Sequence, residues 1–175
     1  MSQIQLECGK LPVEQKMNLF TQFMLTRVSK MMRPEMNLAQ LYFTKGSACG
    51  FFGKIHIDNK NILSQIKNMA WDLMHLRFMD YSATMFNTKK GDVLIPYFFT
   101  YDKRLQDIRT CYSLQALAYN HKNYAVIPVY ALESGILDMV KEYCTFEKHM
   151  ERMCSTPDLD ELITESERDL MLLIR

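Results

Sequence analysis

Six residues in two short segments carry the types and spacing that chemistry needs. In Trp71-Asp72-Leu73-Met74-His75-Leu76-Arg77, Asp72 and His75 lie three positions apart, so a helix puts them on one face. In Pro96-Tyr97-Phe98-Phe99-Thr100-Tyr101-Asp102-Lys103-Arg104-Leu105, Thr100 and Asp102 follow an apolar run and precede two cations. Converging carboxylates hold hard divalent cations through oxygen. Such an ion activates water and neutralises phosphate charge. Asp72 and Asp102 are therefore the candidate metal ligands, and Thr100 is an orienting hydroxyl. Lys103, Arg104 and His75 are candidate contacts to a nucleic-acid backbone. Plainer roles fit the same residues. Asp102 is placed to cap a following helix, His75 to pack or face solvent, and Asp72 to be a solvated charge.

Elements must bring these residues together. Val93–Thr100 is almost wholly apolar and reads as a strand buried on both faces, with pairing beginning after Pro96. Lys103–Asn120 reads as a helix with Leu105, Ile108, Tyr112 and Leu117 inward, and Tyr124–Tyr130 as a further strand. Strand, helix, strand is the pattern of a right-handed parallel βαβ unit. Ligands bind at the carboxyl edge of such sheets, where Asp102 would stand.

Upstream, Leu11, Val13, Met17, Phe20, Met24 and Val28 recur at helical spacing after Pro12 and before Pro34. A short helix over Leu38–Tyr42, capped by Asn37, would follow. Ser47–Gly53 reads as a turn, Lys54–Ile57 as a short strand, and Asp58 or Asn59 as the cap of the next helix. That helix carries Ile62, Ile66, Met69, Leu73 and Leu76 on one stripe, to about Tyr81. Asn87–Asp92 is a polar loop. Glu133–Met153 and Asp158–Ile174 read as helices separated by Ser155-Thr156-Pro157. The expectation is one α/β domain over 1–175, with a small, mostly parallel sheet flanked by helices. It has a helical N-terminal part (1–46), a βαβ part (54–153) and a C-terminal helix (158–175).

Asp-x-x-His on a helix, followed by apolar-apolar-Thr-x-Asp-Lys-Arg-Leu, resembles the C-terminal half of PIN-domain nucleases. The likeness covers Trp71–Ile108, about a fifth of the chain. It implies phosphodiester hydrolysis with Mg²⁺ or Mn²⁺, on RNA more than DNA. Asp72 would match the helix acid, Asp102 and Thr100 the Thr-x-Asp turn, and His75 the histidine of one branch. The family's opening strand and its acid have no counterpart before Ser47. Ile55-His56-Ile57-Asp58-Asn59 lies too close to Asp72 for the intervening helices. The resemblance therefore implies a site short of one or two acids, in a truncated product, one half of a split protein or a degenerate, inactive descendant, with a complementary chain or a second copy expected against the exposed sheet edge. Met17, Phe20, Met24, Met31 and Met32 are the expected contact residues.

Composition sets the limits. The chain has 175 residues, 48% of them hydrophobic, and a net charge of +1. That argues against a polybasic binder but leaves a local basic rim from Lys89, Lys90, Lys103, Arg104 and Arg109, with Tyr97 and Tyr101 for stacking. No apolar run is long enough to cross a membrane, and the opening residues lack a signal-peptide pattern. The five cysteines form no CxxC pair, which suits reduced thiols and a cytoplasmic setting. Cys111 has no His–Asp relay beside it in sequence. Glu133, Asp138 and Glu142 fit a solvated helix face. The rival to a nuclease is a non-catalytic protein–protein interaction module, whose 14 methionines offer an adaptable apolar surface.

Overall fold

The computed structural model describes residues 1–30, 32–85, 96–112, 114–120, 125–130, 143 and 145–174. Helices dominate these residues: α1 (Ser2–Glu7), α2 (Val13–Thr26), α3 (Arg33–Lys45), α4 (Ile62–Met85), α5 (Lys103–Ile108), α6 (Phe146–Cys154) and α7 (Leu159–Leu173). Strands β1 (Leu114–Asn120) and β2 (Ala125–Tyr130) pair antiparallel.

The core is built from α2, α3 and the turns after α3. The three- and four-residue spacing on α2 puts Met17, Phe20, Thr21 and Met24 inward. Lys16 is buried with them, and its Nζ donates to Gln5 Oε1 at 3.0 Å. On α3, Met36, Leu38, Ala39, Tyr42 and Phe43 are buried. Pro34 occupies the first turn of α3, where its missing N–H costs nothing. It starts this helix instead of closing the one before, and Asn37 lies inside α3, not at its cap. The helix ends at Gly46, whose φ of +54° disfavours any residue with a Cβ. Two short 3₁₀ turns, Gly46–Ala48 and Gly50–Phe52, then swing Phe51 and Phe52 into the core. Phe52 stacks on Tyr42 with ring centroids 4.2 Å apart, and Phe51 meets Phe52 edge-on at 5.1 Å.

Helix α4 lays Ile62 and Leu76 on this core, with Ile66, Met69 and Leu73 beside them. Asn59 organises its entry: Oδ1 accepts from the Asn61 N–H at 3.0 Å, and Nδ2 donates to the Lys54 carbonyl at 2.6 Å. Asp158 caps α7 by accepting from the N–H groups of Asp160 and Glu161 at 3.1 and 3.0 Å. Glu165 pairs with Arg27, and Glu167 pairs with Lys67 at 3.0 Å, which tie α7 to the end of α2 and to α4.

The expected α/β fold is not present. The sheet among the described residues has two strands, paired antiparallel, with Ala118 opposite Ile127 and Tyr119 opposite Val126. Helical structure stops after Ile108, passes through a 3₁₀ turn at Arg109–Tyr112, and gives way to β1. The expected helix over Lys103–Asn120 is thus replaced, from 114 on, by a strand. Leu114-Gln-Ala-Leu-Ala-Tyr-Asn has the composition of a helix, but pairing with Ala125–Tyr130 overrides that preference. Four residues separate the strands, which permits a hairpin and forbids a parallel crossover. Residues 96–101 form no strand, and 93–95 lie outside the described residues, as does the 87–92 loop. Lys54–Ile57 is turn and coil, not a strand. Thr145 is non-helical and caps α6, accepting from the Lys148 N–H at 3.4 Å, so one helix from 133 to 153 is excluded at that point. Glu133, Asp138 and Glu142 lie outside the described residues.

Candidate functional site

The Thr-x-Asp turn folds as a helix start. Thr100 Oγ1 accepts from the Asp102 N–H at 3.0 Å, and Asp102 Oδ1 accepts from the Arg104 N–H at 2.8 Å, capping α5. The Arg104 side chain curls back onto the same carboxylate, Nη2 donating to Oδ2 at 2.6 Å and Nε to Oδ1 at 3.1 Å. The hydrogen bond from the Arg104 side chain, then that from its backbone, holds the Asp102 carboxyl below its usual range. The Arg104 guanidinium is pushed up, chiefly by its hydrogen bond to Asp102 and to a lesser degree by the charge of Asp72.

Asp102 is thus engaged both by the start of α5 and by a guanidinium of the chain itself. No three His, Cys, Asp or Glu side chains group as a metal site among the described residues. His75 and Lys103 are exposed. Tyr97 and Phe99, expected within a buried strand, project with Tyr101 almost fully into solvent, and Phe99 meets Tyr101 edge-on at 4.9 Å. Met17, Phe20 and Met24, expected to contact a partner chain, are core residues. They face inward because α3 and the aromatic turns cover them. Met32 is partly buried against the same core, and Met31 lies outside the described residues.

A different surface stands out on α4. Trp71, Met74, Phe78 and Tyr81 are 61%, 56%, 55% and 53% exposed. Their spacing of three, four and three residues draws one stripe along the helix. At about 100° per residue, it lies opposite the stripe of Ile62, Ile66, Met69, Leu73 and Leu76. Helix α4 is consequently apolar on two sides, only one of which the core covers. Phe78 and Tyr81 already touch, with centroids 6.2 Å apart. The cations flanking the stripe are neutralised within the chain: Lys67 by Glu167 at 3.0 Å and Arg77 by Glu35 at 3.3 Å. The 71, 74, 78, 81 series is the sequence signal of this second stripe, beside the more regular series that faces the core.

No protein-family model, curated protein or solved structure matches this chain. The resemblance to PIN-domain nucleases thus finds no relative to support it. No helix among the described residues is long and apolar enough to cross a membrane.

Proposed function

We propose that this chain is a non-catalytic protein-binding module whose working surface is the outer face of α4. One observation carries the reading: four large apolar side chains stand more than half exposed in a single stripe on a helix anchored from behind. Taking ~200 Å² for each side chain, the stripe leaves about 450 Å² uncovered. A monomer's largest apolar patch is typically about 300–600 Å² and is often functional. The chemistry suits an amphipathic helix with apolar anchors at three- and four-residue steps. A Mg²⁺- or Mn²⁺-dependent nuclease acting on RNA draws less support, because Asp102 is already engaged by the α5 backbone and by Arg104.

A photoreactive residue at Phe78, introduced in cells, tests the proposal. It should trap a discrete protein, whereas the same group at Glu151 on α6 should not. Absence of any crosslinked protein from position 78 would refute the docking role.

A further inference from the structure

We infer that the occupant of the α4 face is a second copy of this chain, its α4 lying antiparallel to the first across a two-fold axis on the outer face at the level of residue 76, away from the buried Leu76. This rests on the docking role proposed above and names the partner. The stripe is self-complementary. Within the stripe, 71 and 81 lie equally far from position 76, as do 74 and 78. An antiparallel pair centred there sets Trp71 against the partner's Tyr81, and Met74 against the partner's Phe78. Each layer then joins two aromatics or an aromatic and a methionine, pairings with favourable contact geometry. A parallel pair would instead place Trp71 on Trp71 and Met74 on Met74. The polar tips fall in the right places: Trp71 and Tyr81 occupy the wet ends of the stripe, and Met74 and Phe78, which carry no N–H or O–H, occupy the middle.

Charge and area agree. Two copies approach without like-charge repulsion from Lys67 or Arg77, since Glu167 and Glu35 neutralise them within each chain. Two stripes bury about 900 Å² of apolar side chain, and the exposed His75 beside the axis brings the total close to the roughly 1,000 Å² that a specific interface needs. An isologous contact of this kind closes on itself and leaves no open end for fibre growth.

Sedimentation equilibrium at tens of micromolar tests this directly. The wild-type chain should have twice the 20.6 kDa of one chain. Trp71→Lys and Tyr81→Glu should each sediment as a monomer with an unchanged circular dichroism spectrum. Mixed in equal amounts, the two variants should recover the dimer, because residue 71 of one faces residue 81 of the other. A wild-type monomer, a dimer indifferent to both substitutions, or a mixture that stays monomeric would overturn the pairing. The Phe78 crosslink separates the two claims. A product of twice the chain mass supports both, a product with a different protein supports docking and sinks the self-pairing, and no product sinks both.

Discussion

Tyr42→Phe should stabilise this protein, which is unusual for a change at the centre of a core. Tyr42 is 1% exposed, and its ring is stacked on Phe52 at 4.2 Å and on Phe43 at 6.0 Å. Its hydroxyl has no hydrogen-bond partner among the described residues. Folding takes that group out of water without replacement, which costs about 1–3 kcal/mol. Phenylalanine keeps both stacking contacts and leaves a gap the size of one oxygen, which returns part of the gain. The expected net is about 1 kcal/mol of added stability, or a rise in Tm of about 2–4 °C for a chain of this length. Urea unfolding followed by circular dichroism would read it as a higher midpoint with an unchanged slope. Tyr101→Phe, at an exposed position, should stay within about 0.5 kcal/mol of wild type. A loss of about 1 kcal/mol or more in Tyr42→Phe would show that the hydroxyl makes a bond, and the reasoning would fail. Titration offers a second check. Burial pushes the Tyr42 phenol well above its usual value. As pH rises through about 10, the unfolded chain releases this proton while the folded chain keeps it. The unfolded state then binds fewer protons, so stability must fall with pH. Tyr42→Phe should remove that share of the alkaline loss.

Other substitutions test the local architecture. Gly46→Ala should destabilise by about 1 kcal/mol or more, because φ is +54° there, with thermal unfolding as the measure. Asp158→Ala removes the acceptor for two N–H groups at the start of α7 and should cost about 0.5–2 kcal/mol, whereas Asp158→Asn should cost little. Asp102→Asn should leave the α5 cap intact, since an amide oxygen also accepts from the Arg104 N–H. Under the same account, RNA incubated with the purified chain and Mn²⁺ should stay intact; cleavage that Asp102→Asn abolishes would reinstate the metal reading.

Local and helical features were legible in the sequence. The spacing of Met17, Phe20 and Met24 marks the buried face of α2, the Gly-containing stretch 47–53 marks the turn, and Asp158 and Asn59 mark helix entries. What could not be read depends on distant pairing. Residues 114–120 carry Leu, Ala and Gln, which favour a helix, and only the facing strand makes them β. The polar Asn120-His121-Lys122-Asn123 between two apolar runs was the available hairpin signal. Pro34 was ambiguous because proline both ends helices and begins them, and its position relative to Met36 and Leu38 decides which. At the candidate site, the turn at Thr100–Asp102 was placed correctly as a helix start, but its carboxylate is used locally by Arg104. The α4 stripe stayed hidden because apolar residues on a helix are normally assigned to one core, and this helix carries two faces.

The outer face of α4 should be open in the lone chain and covered by a second copy in the dimer. Trp71, the single tryptophan, reports on it without modification. Its emission and its quenching by acrylamide, followed while the protein is diluted from tens of micromolar to nanomolar, provide the test. The indole should be blue-shifted and protected at high concentration and become red-shifted and quenchable on dilution, and a Phe78→Glu variant should be quenchable throughout. A Trp71 protected at every dilution would mean that the chain covers this face itself, and one quenchable at every concentration would mean that no second copy covers it.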